Sequence, residues 1–189
     1  VMKVDANRRP ILGTAEKINC DLLVLSVGLI PENEISEQAG IEIHPITKGP
    51  IVDEEMMTSI PGIFACGNVA AVFDLVDYVS LTGEYAAQGA VRFMKGEKTK
   101  QGSVQIEAGD GISFTIPQRF SKFASQRKQI VFARVCQEAE GAVIQAVCGD
   151  EQIRRKKHLV VKPPEMIASE MEIPKDFVNK QVCLRIMEG

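Results

Sequence analysis

The stretch Thr58-Ser59-Ile60-Pro61-Gly62-Ile63-Phe64-Ala65-Cys66-Gly67-Asn68-Val69-Ala70 decides how the first half of the chain is read. Ile63–Cys66 has the length and apolar character of a short buried strand, and Gly67 ends it where the backbone can turn tightly. Asp74 to Met94 then gives one long helical pattern, with Leu75, Val79, Tyr85, Ala86, Ala90 and Phe93 spaced to share a face. Alanine and glycine at 83, 86, 87, 89 and 90 predict a close approach of that helix to another backbone. In such an arrangement the glycine permits close contact, and the next side chain can accept a hydrogen bond from a ligand hydroxyl. The helix N-terminus adds free N–H groups and a partial positive charge. An extended cofactor, with hydroxyls in its middle and an electron-rich ring at one end, would suit it. Plain α/β punctuation has the same pattern, so both readings stay open on these residues alone.

Working outward, Leu22-Leu23-Val24-Leu25-Ser26-Val27-Gly28 is a continuous apolar run ended by glycine, which predicts a strand buried on both faces in a parallel sheet. Val1–Asp5 with the turn residues Ala6–Pro10 predicts an opening hairpin. Pro31–Glu34 with Ile35 and Ala39 predicts a short helix closed by Gly40, and Ile51-Val52-Asp53 predicts a further short strand. Lys95–Gly102 is polar and without periodicity, and marks a domain boundary. Beyond it, Ile112–Ile116, Gln129–Cys136, Ala142–Cys148, Ile153–Val161, Met166–Glu172 and Val182–Met187 are of strand length. Gly141, Gly149-Asp150, Pro163-Pro164 and Pro174-Lys175-Asp176 punctuate them, the pattern of a small antiparallel sandwich.

Across 189 residues the composition is that of a globular protein, 45% apolar and 25% charged. A net charge of −3 leaves no basic excess to neutralise phosphates, which argues against nucleic-acid binding. No apolar window is long enough to span a membrane, and no secretory leader is seen. The start at Val1 is expected of a chain cut from a longer one, an expression-tag scar being the alternative. Cys20, Cys66, Cys136, Cys148 and Cys183 form no C-x-x-C pair, and all but Cys20 have an apolar neighbour. That predicts reduced, buried thiols in a cytoplasmic protein without a metal site. Arg154-Arg155-Lys156-Lys157-His158 reads as a solvated, edge-protecting run, with an acidic partner as the alternative. Asp74, Asp77 and Glu84 read as exposed helix surface, with a general base among them as the alternative.

Thr58, Pro61–Ala65 and Gly67-Asn68 resemble the T-x-x-P-G-I-F-A-x-G-D signature of pyridine-nucleotide-linked FAD oxidoreductases. Cys20-Asp21 through Gly28 to Pro31-Glu32-Asn33 is similar to that family's C-D-x-v-x-x-a-x-G-x-x-P-N segment. The two motifs stand in family order, and the resemblance covers roughly residues 1–95. It implies an α+β chain in two parts. Residues 1–100 would be an incomplete FAD/NAD(P)-binding, Rossmann-like α/β fragment, and residues 101–189 a small antiparallel β-sandwich. FAD and NAD(P) are the implied cofactors of the parent enzyme. Gly67, Asn68 and Val69 would line the middle of the FAD, and backbone N–H groups at Val76 and Asp77 would face the flavin N1/O2 edge. Asn68 departs from the family's aspartate, replacing a charge-assisted acceptor by a neutral one. Members with such a β-domain often work beside a glycerol-3-phosphate dehydrogenase, which implies a partner subunit of that kind.

The family's G-x-G-x-x-G phosphate cradles have no counterpart here, Gly109-x-Gly111 reading as a turn with Phe114 in the third place. The expectation is therefore the C-terminal part of an FAD-dependent, NAD(P)-linked oxidoreductase that needs its missing N-terminal region. Alone it would be inactive and hold little or no flavin, and no catalytic residue is assigned. A β-domain that docks a partner dehydrogenase subunit without chemistry is the alternative. Uncovered strands at 22–27 and 63–66 should drive pairing with a second copy, exchange of elements, or disorder.

Overall fold

A computed structural model describes residues 1–6, 9–26, 28–97, 103–121, 128–173, 177 and 179–187. Residues 98–102 of the expected boundary and the expected Pro174–Asp176 turn lie outside that set.

The second half is built on two main sheets. One has the order β3-β1-β10-β6-β7, from Ser103–Ala108 (β1), Arg119–Ser121 (β3), Val143–Cys148 (β6), Glu151–Lys157 (β7) and Gln181–Met187 (β10). The other runs β2-β4-β9, from Ile112–Ile116 (β2), Gln129–Val135 (β4) and Met166–Met171 (β9). Ala139–Glu140 (β5) and Val160–Val161 (β8) pair separately. The expected strands are present within a few residues, with the 153–161 run divided into β7 and β8, while β1, β3 and β5 are additional. The antiparallel expectation needs one correction, because β1 and β10 pair in parallel. Tight turns impose antiparallel pairing only on neighbours in sequence, and these two strands come from opposite ends of the half.

Alternation of side chains sorts the strands into layers. Val104 and Ile106 of β1, Ile144 and Ala146 of β6, and Val182 and Leu184 of β10 meet Val131, Ala133 and Val135 of β4 and Ile167 of β9 in one core. The residues in between on the three-stranded sheet point the other way. Phe114, Ile116, Phe132 and Met166 join Val52, Met56, Ala65, Ala71, Phe73 and Ala86 of the first half in a second core. The β2-β4-β9 sheet is therefore the middle of three layers. Burial on both faces explains why β4 reads as a nearly continuous apolar run.

The outer layer on the first-half side consists of loops and two helices. Helix α1, Glu34–Gln38, ends as expected at Gly40, whose φ of 77° suits the left-handed residue of a Schellman cap. Gly40 N–H donates to Glu37 O (2.9 Å) and Ile41 N–H to Ser36 O (3.0 Å). Helix α2, Val76–Met94, closes in the same way at Gly96. The expected close approach is made at Gly89, where a Cβ would press on the Phe64 ring and the Glu55 backbone, and Ala86 is also buried. Leu75 and Phe93, expected on that face, are half exposed.

Three strand expectations in this half are corrected. Residues 22–26 form no strand, and Leu22, Leu23, Val24 and Leu25 are 71–78% exposed. Residues 51–53 and 63–66 keep only isolated bridges at or beside them, Ile43 to Pro50 and Met57 to Phe64. A strand exists only through its neighbours' N–H and C=O groups, and among the described residues no parallel neighbour flanks these segments. The opening hairpin is present among the described residues as an antiparallel bridge, Val4 to Pro10, with Asp5 N–H donating to Arg9 O (2.9 Å) and Ile11 N–H to Lys3 O (2.9 Å). The cysteine expectation is corrected too. All five are free, but Cys20 and Cys136 are exposed and only Cys148 is fully buried in a core, Cys66 being partly buried against the other.

Candidate functional site

The Thr58–Ala70 stretch folds as a hairpin leading into a turn. Pro61 and Gly62 hold the central positions of a tight turn, with Gly62 at φ 84° and Ile63 N–H donating to Ile60 O (3.2 Å). Thr58 is buried, its Oγ1 accepting from Ile60 N–H (3.2 Å), and Arg119 Nη2 of β3 donates to its carbonyl (2.6 Å). Gly67 follows at φ 60°, and a Cβ there would press on Val79 Cγ1 at 3.0 Å. Its N–H donates to Thr82 Oγ1 (3.0 Å), and that hydroxyl donates in turn to Val79 O (2.8 Å). Thr82 is wholly buried in the middle of α2, so it ties the turn to the helix through a relay closed to water.

Gly67–Val69 then make one turn of 3-10 helix. Asn68 is exposed, and its Oδ1 accepts from Phe73 N–H (3.2 Å), so the side chain folds its own loop. Asn33, in the other motif, is buried and donates from Nδ2 to Lys48 O (2.9 Å) and Val69 O (3.0 Å). Gly49 packs so tightly on the Val69 and Ala70 carbonyls that no Cβ fits. From the middle sheet, Arg134 Nη2 donates to Val72 O (3.0 Å), while Phe132 meets Phe73 edge-on (5.3 Å) and Tyr78 at 4.9 Å between ring centroids. The loop between Gly67 and α2 is thus held from three sides.

These contacts bring the two motifs to one place. A cleft of about 330 Å³ is lined by Leu29, Ile30, Pro31 and Glu32 from the first and by Cys66, Gly67, Asn68 and Val69 from the second, with Val72 and Val79 behind. Of the residues singled out in the sequence, Gly67, Asn68 and Val69 share this cleft. Val76 and Asp77 do not line it; they are exposed at the first turn of α2, which has no side-chain cap. Asp74 and Glu84 are exposed as well. Among the described residues no group of His, Cys, Asp and Glu could hold a metal ion, and no helix is long and apolar enough to cross a membrane.

Sequence reasoning places Asn33 in a motif without giving it a contact, and gives Gly49, Thr82 and Arg134 no part in this site. Thr82 does carry a signal, being a poor helix former on the Ala/Gly face of an otherwise good helix. A second polar cluster, where the halves meet, is equally silent in the sequence. Glu54 accepts from Ser121 N–H (2.7 Å) and from the Ser121 hydroxyl, and Gln118 Oε1 accepts from Val52 N–H (2.9 Å). Burial pushes Asp53 up to about 6, against hydrogen bonding by Met57 and the charges of Arg119 and Arg92. Burial, reinforced by the charge of Asp53, pushes Glu54 up to about 7, against its Ser121 bonds.

Comparison with known proteins agrees with the pairing of motifs. Residues 1–93 match the family described as pyridine nucleotide-disulphide oxidoreductase. The rubredoxin-NAD(+) reductase of Pseudomonas putida is 37% identical over 65 residues, 34% of this chain and 16% of that protein. That of Ectopseudomonas oleovorans is 38% identical over 60 residues, 32% of this chain and 15% of its own. The nitric oxide reductase FlRd-NAD(+) reductase of Salmonella paratyphi A is 23% identical over 156 residues, 80% of this chain and 39% of that relative. The matched part of this chain thus spans well under half the length of each of these relatives. No solved structure matches significantly. The residues matched by that family, 1–93, thus include both motifs and the one cleft that they line.

Proposed function

We propose that the chain supplies one wall of the FAD site of an NAD(P)-linked oxidoreductase, with the diphosphate cradle contributed by polypeptide outside these residues. The observation that carries this reading is the shared cleft of Leu29–Glu32 and Cys66–Val69. Gly67 lets the backbone approach the ribityl chain and pyrophosphate. Asn68 Oδ1 spends one lone pair on Phe73 N–H, which leaves the other for a ribityl hydroxyl. The uncapped start of α2 at Val76 and Asp77, outside the cleft lining, would offer N–H groups and partial positive charge to the flavin N1/O2 edge. When bound, the flavin exchanges a hydride with the nicotinamide. These residues fit part of the cofactor only: the cleft lies at the low end of the roughly 300–1,000 Å³ of small-molecule sites and carries no glycine-rich phosphate loop.

The reading extends to the whole protein as a division near residue 100, a cytoplasmic setting, and a second copy or exchanged element over Leu22–Leu25. Electron exchange with a second protein belongs to it as well, since the relatives' names pair NAD(+) with rubredoxin and FlRd. The glycerol-3-phosphate dehydrogenase-like subunit implied by the resemblance is another partner of that kind.

Flavin absorbance tests the proposal. The whole protein, purified and incubated with FAD, should be yellow, and the 189-residue chain should retain no stoichiometric flavin. A colourless whole protein rejects the reading. Asn68→Asp in the whole protein should tighten FAD binding several-fold, because a charged acceptor makes roughly twice as strong a hydrogen bond. A non-enzymatic docking module predicts no change on that substitution.

A further inference from the structure

The cationic run of the second half has a place in the fold that its sequence does not reveal. β7 is the last strand of the five-stranded sheet, paired with β6 on one side only, so its other backbone edge is open. Arg154, Arg155, Lys156 and Lys157 all lie on it and all are exposed. Registered against Ala146 and Ile144, Arg154 and Lys156 stand on the face that β6 turns to the core. Arg155 and Lys157, opposite Gln145 and Val143, stand on the outer face. Both faces of the open edge are therefore cationic. Among the described residues none of the four has an ion pair or a side-chain hydrogen bond. Two residues past the end of the strand, Leu159 is 86% exposed.

We propose that this edge docks an acidic, extended segment of a partner protein, which adds a strand beside β7 with carboxylates over Arg154–Lys157 and an apolar side chain on Leu159. Backbone groups along an open edge give affinity to an incoming strand, and alternate side chains give specificity. Like charges on both faces repel a second copy's β7, so the cations that prevent self-pairing also select an acidic strand. Protection alone accounts for the lysines. It does not account for an exposed leucine beside the edge, nor for two arginines, whose planar forks suit carboxylates. Polyphosphates find no comparable fit, because only a polypeptide can use the backbone edge and the chain as a whole carries −3.

The probe is a fluorescein-labelled peptide of alternating glutamate and valine, titrated with the 189-residue chain and read by anisotropy. Binding that weakens with salt is expected. Arg155→Glu with Lys157→Glu should weaken it about tenfold or more while leaving the far-ultraviolet circular dichroism unchanged. Leu159→Ser should weaken it without changing its salt dependence. The same peptide N-methylated at alternate backbone amides keeps its charge and should not bind. Equal binding of the methylated peptide overturns the proposal, as does tighter binding of oligo-dT or phosphatidylserine vesicles than of the peptide. Absence of peptide binding at low salt overturns it as well.

Discussion

Two apolar runs of this chain read alike and end differently. Leu22–Leu25 and Val131–Ala133 are both uninterrupted and both read as strand, the first as one covered on two faces. Val131, Phe132 and Ala133 lie at the centre of a middle sheet, with β2 and β9 on either side and a core against each face. Leu22–Leu25 have neither lateral partners nor a covering layer among the described residues, and they stay exposed outside any strand. A run of apolar residues states a need for neighbours; it does not provide them.

The strongest way to break this contrast is Phe132→Ala. It empties a buried site that touches Phe73 and Tyr78, and should cost about 3–5 kcal/mol, read from the urea midpoint. A loss under about 1 kcal/mol would mean that the two halves do not depend on the shared layer. Thr82→Val preserves shape but strands the Gly67 N–H in a buried place, for about 1–3 kcal/mol. Hydrogen exchange at Gly67 should accelerate in this variant, and an unchanged rate would remove Thr82 from the account of the turn.

The junction between the halves should respond to pH. Asp53 and Glu54 titrate near 6 and 7 when folded, against ordinary values of 3.8 and 4.5, so the folded chain holds protons that the unfolded chain has already released. Stability from this source is fully present below the unfolded values and is lost as pH rises through the folded ones, from about 4 to about 7. The urea midpoint should fall across that range, and fall less in Glu54→Gln, which cannot ionise. An equal decline in the variant would clear Glu54 of the effect. The smallest expected change sharpens the contrast from its other side. Leu23→Ser should stay within about 0.5 kcal/mol, as at an exposed site without partners. A larger loss in the 189-residue chain would reveal a covering partner, such as a second copy.

Much of the second half was legible because its signals are local. Strand-length runs are marked by punctuation such as Gly141 and Gly149, and at Gly149 the turn joins β6 directly to its partner β7. The parallel pairing of β1 with β10 was not legible, since nothing near either strand encodes a neighbour so distant in sequence. At the cleft, Gly67 and Asn68 were legible from the turn they must make, and Val69 only from the resemblance. The roles of Asn33 and Arg134 were not, because they consist of bonds to carbonyls at residues 69 and 72, contacts with no sequence spacing to betray them.

Residue order alone dictated the helices with their glycine caps, the strand lengths of the second half and the glycine at the turn before α2, since each depends on backbone freedom and side-chain period within a few residues. Tertiary structure alone settled that Leu22–Leu25 stay bare, that the middle sheet is buried twice, and that two motifs meet in one cleft. Those outcomes depend on which distant surfaces meet, and the gain from removing apolar area from water favours contact without naming the partner.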